Sequence, residues 1–514
     1  MVLELAKETF NLLNNNVNYC HFKSNSHLSD SFSWDTDFDI LVDKRDFNKF
    51  KEIIYSLWYK EVISQPWARY PLVYDFVWLD KKTWKIIHLH IHLEIITWTK
   101  FVKEYYLNNL TPLFLDENNM ILTNNLIKIP IPELELILLL IRLWVKTSIK
   151  QIIIWKFPEN INKEIYCLLK KFNQEKFISL LKEAFGYMSN KDFDELKNLF
   201  LQIICLFKNN NQEFSRLVIL KLKSLIKKVI SPYKIKNFIF FRKQFNKYYE
   251  IFRAILFRIK IYTHYKKILV NWWLTVVMLW PDWSWKSTII KKLKKDFLYK
   301  INTQDFYFWT WDWHKTILLI LVQKLLLLWK LFFRNKTKAQ IGNNIGKPYK
   351  ETIQKSRWFL YDTMASIYYF VIARDKYIKF KNILTHYNNW TICLVDRFPQ
   401  NQFCNINDWL SCYSKQNVKV NPIANYFFKK EKQIYDIILN SKLNIVIVKL
   451  NIDTQTAFNR KKNYDKNHKF SDIKDKVEII NSLNFNNWQT INIDAKQEIN
   501  KIILEIKNII WKNL

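Results

Sequence analysis

Two hydrophobic periods alternate along the chain. In MVLELAKETFNLL the apolar positions recur at helical spacing, which predicts a helix over residues 1–14. FDILV and KIIHLHIHLEI instead alternate residue by residue, the period of a strand with two unlike faces. In the second, from Lys85 to Ile95, Ile87, Leu89, Ile91 and Leu93 share one face, and His88, His90, His92 and Glu94 share the other. Residues 130–230 return to helical spacing in IPELELILLLIRLWVK, INKEIYCLLKKF and SLLKEAF, with Pro132 at a helix start. From Leu274 on, short apolar runs (LTVVML, TICLV, NIVIV) alternate with helical stretches, the longest from about Thr352 to Leu384. QTINID and a closing helix follow. This alternation predicts an α/β fold with a parallel sheet, preceded by an α+β part and a helical region.

Length and composition set the frame. A chain of 514 residues holds two or three domains. The boundaries expected are 1–125, 126–268 and 269–514. The apolar runs 134–146 and 316–333 carry Arg142, Lys324 and Lys330, so neither offers the roughly 20 uncharged residues of a membrane span. The six cysteines, at 20, 167, 205, 393, 404 and 412, lack C-x-x-C spacing. They predict a reduced, cytoplasmic chain without a zinc framework, and the early Glu4 argues against a signal peptide. The net charge of +34 is almost all lysine, alongside many Asn, Ile, Phe and Tyr, a composition that AT-rich codons produce. It gives no firm support for a nucleic-acid or membrane partner. Residues 221–268, basic with interleaved aromatics, read as an exposed linker helix; a membrane-surface or nucleic-acid-binding helix is the functional alternative.

One count changes the picture. The chain has 3 Gly and 22 Trp, whereas glycine averages about 7% of residues. Tryptophan stands where glycine is expected: SLWYK, KKTWK, FYFWTWDWHK, NNWTICLVDR, INDWLS. Some bacterial lineages read UGA as glycine, and a table reading it as tryptophan writes such a sequence. Most of the tryptophans are therefore expected to be glycines, with Trp511 and Trp155 candidates for genuine ones. After the apolar run Leu274–Leu279 come Trp280, Pro281, Asp282, Trp283, Ser284, Trp285, Lys286, Ser287 and Thr288. With glycine at 280, 283 and 285 they spell GPDGSGKST, a phosphate-binding loop between strand and helix. Tryptophan cannot replace those glycines, because backbone N–H groups must approach the phosphates closely. Residues 280–288 are then the ATP-binding segment. Lys286 would then reach the β- and γ-phosphates, and the Ser287 hydroxyl would ligate Mg²⁺.

With an acid at its third position, Asp282, this loop resembles that of thymidylate kinase and its relatives. The likeness extends over about 270–514. YYFVIARDKYIKF is similar to the family's helix with an Ala-x-Asp-Arg-like segment, with Lys376 where arginine is usual and Arg374 a weaker phosphate clamp. TICLVDRFPQ looks like its Asp-Arg-Tyr/Phe motif, and NIVIVKLNIDTQTAFNRKK like the strand and Ala-x-x-Arg at its lid. The resemblance implies a P-loop kinase fold using ATP and Mg²⁺ on nucleotide substrates, dTMP first. Asp396 would serve the metal or orient the acceptor. Arg397 would grip the acceptor phosphate, and Arg460 with Lys461 and Lys462 would close over the transferring group. The loop in FYFWTWDWHKT would line the acceptor pocket. Two alternatives stay open: a phosphotransferase acting on a sugar or other small molecule, and a nucleotide-binding regulator without turnover. A homodimer is also open.

The first hundred residues carry a second resemblance. KSN at Lys23, Ser24 and Asn25, followed by Asp37 and Asp39 in WDTDFDILV, is similar to the turn and Asp-x-Asp of nucleotidyltransferases. Two carboxylates on one strand face can hold Mg²⁺ against a triphosphate, so Asp37 and Asp39 are candidate metal ligands. For the family's third acid, Glu94, Asp75 or a histidine of the 88–92 face are the candidates, and a histidine metal site is the variant reading.

Overall fold

The computed structural model describes residues 3–33, 35–64, 69–80, 82–83, 85–98, 103–146, 159–208, 216–231, 245, 248–249, 252, 267–279, 286–298, 300–308, 316–332, 359–403, 409–411, 414, 420–462 and 470–514. The chain divides into two compact units, Met1–Lys267 and Ile268–Leu514.

In the first unit, β1 (Tyr19–His21), β2 (Phe38–Val42), β3 (Lys60–Ile63), β4 (Val73–Leu79) and β5 (Ile86–His92) lie in the order β1-β2-β5-β4-β3. β2 runs parallel to β5, and the other pairs are antiparallel. The alternation read from the sequence holds. Phe38, Ile40, Leu89 and Ile91 are buried, with Phe38 against Phe10 of the helix Glu4–Asn16 at 5.0 Å between ring centroids. Two small hairpins follow, β6 (Ile96–Trp98) with β7 (Lys103–Tyr106) and β8 (Met120–Thr123) with β9 (Ile127–Pro130).

The helices Pro132–Lys146, Glu159–Leu169, Gln174–Phe185, Asn190–Lys208 and Arg216–Ile230 share one apolar core with Cys20, Phe22, Leu41 and Ile95. The start of the basic segment is thus no exposed linker: Leu222, Leu225, Ile226, Val229 and Ile230 are buried there, with Lys227 and Lys228 exposed between them and Lys223 half-buried. This is the ordinary division of an amphipathic helix. Among the described residues no helix is long and apolar enough to cross a membrane.

The second unit opens with the two-residue strand β10 (Ile268–Leu269) and then builds a sheet from β11 (Leu274–Leu279), β12 (Thr303–Tyr307), β13 (Ile392–Asp396), β14 (Ile445–Asn451) and β15 (Gln489–Asp494). The order is β12-β13-β11-β14-β15, parallel throughout. β11 and β13 are buried at every position, which is why they read as unbroken apolar runs. β15, at the edge, is half-exposed. The long helix is described from Phe359 to Asn388 and packs with Pro422–Leu439.

Two helix ends bear on the tryptophan count. Helix Phe47–Ser56 ends with Trp58 N–H donating to Tyr55 O (2.9 Å) and Tyr59 N–H to Ile54 O (3.1 Å). Helix Phe359–Asn388 ends with Trp390 N–H to Tyr387 O (2.9 Å) and Thr391 N–H to His386 O (3.1 Å). Both are Schellman motifs, whose C′ residue is left-handed and usually glycine. The C′ residues are Trp58, with φ 67°, and Trp390, with φ 52°.

Candidate functional site

In the second unit the strand order reverses at β11. Open α/β sheets bind ligands at the carboxyl ends of the strands beside such a switch point. Trp280 to Trp285 lie outside the described residues, as do 309–315 of the glycine-like loop and 463–469 of the lid. Lys286 and Ser287 are the first residues of the helix Lys286–Leu298, and Thr288 is exposed on its first turn. The last residue of β13, Asp396, pairs in register with Met278 of β11 and Tyr307 of β12. It therefore reaches the same sheet edge at which the chain leaves β11. Asp396 and Arg397, next along, are both buried. Arg397 has φ 63°, a conformation that costs a side-chain-bearing residue about 1–2 kcal/mol.

Arg460 and Lys376 make contacts within the fold. Arg460 Nη1 donates to Ala495 O (3.0 Å), joining the helix Thr454–Lys462 to the chain just after β15. Lys376 is buried and donates to Tyr435 Oη (2.7 Å), a packing role between two helices. Arg374 is exposed. Its neighbour Asp375 is buried and accepts the Thr316 N–H at 3.0 Å, tying the long helix to the start of Ile317–Phe332.

In the first unit, parallel pairing puts Asp39 opposite His90, and antiparallel pairing puts Asp75 opposite His90 on the other side. Asp39, His90 and Asp75 thus form a row across β2, β5 and β4. Asp37 Oδ2 lies 2.9 Å from His88 Nδ1. Asp75 Oδ1 lies 2.9 Å from His88 Nε2 and 2.6 Å from His90 Nδ1, and Asp75 Oδ2 is 2.6 Å from Lys267 Nζ. The KSN turn comes to the same row, with Lys23 Nζ 2.8 Å from Asp39 Oδ1.

Burial presses both aspartates toward the neutral form. Lys23, and then His90, outweigh it at Asp39, which is held below its ordinary value. At Asp75 the hydrogen bonds from His88 and His90 do the same, and it is held well below. Burial lowers Lys23, and Asp39 only partly offsets it. Of the candidates for the family's third acid, Asp75 and His90 stand in the row. Glu94 does not: two residues past the end of β5, it is held by Lys44 and by the Thr111 hydroxyl (2.8 Å). Lys267, more than 170 residues from Asp75 in sequence, carried no signal that could have found it.

Glu135 also escaped the sequence reading. It accepts the Asn25 N–H (3.0 Å) and Asn25 Nδ2–H (2.8 Å) and so holds the turn that presents Lys23. Burial raises its pKa to about 7, against the Asn25 hydrogen bonds. An acid raised in the folded state adds stability below its unfolded pKa, and that stability is lost as pH climbs through the folded one. The window is from 4.5 to about 7, and a shift of that size is worth up to ~3 kcal/mol. Urea unfolding across it should show wild type losing stability relative to Glu135→Gln. Parallel pH profiles of the two would refute the assignment.

No family model matches the chain, and no curated protein matches it.

Proposed function

We propose that the second unit transfers the γ-phosphoryl group of ATP to a nucleoside monophosphate, dTMP first, with Mg²⁺. The observation that carries the reading is the Asp396–Arg397 pair. A buried carboxylate ends β13 at the switch-point edge, and a guanidinium follows it on a left-handed backbone. Sparsely populated backbone of this kind persists where function needs the geometry. A hydroxyl at Ser287 and a carboxylate at Asp396, completed by substrate phosphates, are the all-oxygen set that Mg²⁺ prefers. Arg397 offers the planar fork that grips a phosphate. Lys286, at a helix N-terminus, adds charge where anions are already favoured. Positioning and charge neutralisation of this sort make up most of phosphoryl-transfer catalysis.

The reading requires glycine at 280, 283 and 285. The two Schellman ends support it independently, since each puts a tryptophan where glycine is the usual residue. The test uses full-length protein with glycine at 280, 283, 285, 309, 311 and 313. ADP release from ATP and Mg²⁺ should depend on dTMP and vanish in Lys286→Ala. Release with another phosphate acceptor but not with dTMP would move the substrate and keep the reaction. ATP binding without release for any acceptor would favour a regulator and end the proposal.

A further inference from the structure

The first unit holds a second, chemically distinct cluster, and its histidines are the part that a carboxylate Mg²⁺ site leaves unexplained. We propose that Asp39, His90 and His92 bind a transition-metal dication, Zn²⁺ fitting best, with Asp75 as the positioning residue that orients His90.

Four observations lead to this. One oxygen or nitrogen from each of Asp39, His90 and His92 lies within 4.8 Å of the others. Tetrahedral metal bonds of about 2.0–2.2 Å set ligand atoms roughly 3.4 Å apart, so closure draws each pair of side chains together by at most about 1.4 Å. Second, His90 directs Nδ1 at Asp75, 2.6 Å away. A metal-bound histidine usually gives its other ring nitrogen to a carboxylate, which fixes the ring and raises its basicity. The Asp39 carboxylate is held in the same manner, with Lys23 on Oδ1. Third, the cluster is set into the fold: His92 is 0% exposed, Asp39 and His90 are half-buried, and their neighbours His88 and Asp75 are 2% and 5% exposed. His92 lies edge-on to Phe22 (5.0 Å) and to His90 (4.6 Å). Ionisable groups this deep are paired or coordinate metal. Fourth, the donor set is two imidazoles and one carboxylate. Imidazole suits Zn²⁺ and its transition-metal neighbours, whereas Mg²⁺ selects oxygen.

Asp37, expected to share a metal with Asp39, faces His88 instead. His88 lies between Asp37 and Asp75 and braces the row from behind. Three protein ligands leave a fourth position for water or a substrate oxygen, the pattern of catalytic rather than structural zinc sites. The site stands in the first unit and does not depend on the kinase reading.

The test uses full-length, untagged protein stripped with chelator. One equivalent of Co²⁺ should give the visible absorption of a low-coordinate site, and Zn²⁺ should displace it one for one. His92→Asn and Asp39→Asn should abolish the spectrum. Asp75→Asn should keep its shape but weaken Zn²⁺ affinity 10–100-fold, as loss of an outer partner does. Should the asparagine variants unfold, His92→Cys decides: a ligand at 92 then gives a thiolate-to-cobalt charge-transfer band. A spectrum of hydrated Co²⁺ alone, a His92→Cys protein without that band, or displacement of Zn²⁺ by millimolar Mg²⁺ would overturn the proposal.

Discussion

Replacing Arg397 should lower kcat/KM for the phosphate acceptor roughly 10²–10³-fold, the loss seen when one preorganised charge contact is removed. Arg397→Lys should not restore it, because an ammonium lacks the fork that engages two phosphate oxygens. The backbone supplies a second readout, which tests the left-handed conformation apart from the role of the side chain. With φ 63°, alanine at this position keeps the left-handed penalty and glycine removes it. Arg397→Gly should therefore be more stable than Arg397→Ala by about 1 kcal/mol, although the two are equally inactive. Both measurements belong in the background with glycine at 280, 283 and 285. Full activity in Arg397→Lys would remove the phosphate-gripping role. Equal stability of the Gly and Ala variants would remove the strain.

Trp58→Gly and Trp390→Gly should each stabilise the protein by about 1–2 kcal/mol, the cost of holding a side-chain-bearing residue left-handed. Trp58 is 65% exposed, so removing the indole forfeits little buried area. The two positions lie in different units, and their effects should add. Trp272→Gly is the control: it is exposed too, but φ is not positive there, and it should give no gain. Denaturant midpoints measure all three. Peptide mass spectrometry of the native protein should read glycine at 58 and 390, and TGG codons at those positions would sink the recoding. Burial separates a different group of tryptophans. Trp144 and Trp511 are buried within helices, where glycine would cost about 1 kcal/mol in helix propensity alone, besides the lost packing. Trp511 was a sequence candidate for a genuine tryptophan, and its burial agrees with that; Trp155 lies outside the described residues.

What the sequence determined by itself is what local covalent geometry fixes. Alternation along β5 sets histidines on one face and aliphatics on the other, because successive side chains of a strand must point oppositely. The unbroken apolar runs of β11 and β13 announce strands covered on both faces, and the chain order of strands and helices announces a parallel sheet. The place of Asp396 and Arg397, at the end of one such run, was legible for the same reason, whereas the roles expected of them came from the resemblance.

Partners across strands and between distant segments were decided only by the tertiary structure. Asp75 joins Asp39 and His90 because β4 pairs antiparallel with β5 in one particular register, and a slip of one residue would turn it to the other face. Glu94 has the right parity to join the row but lies past the end of the strand, where alternation no longer dictates direction. Lys267 reaches Asp75 and Glu135 reaches Asn25 through chain returns that no local pattern encodes. The left-handed turn at Arg397 is likewise invisible in the letters, since an arginine there gives no sign that its backbone has been forced where glycine goes freely.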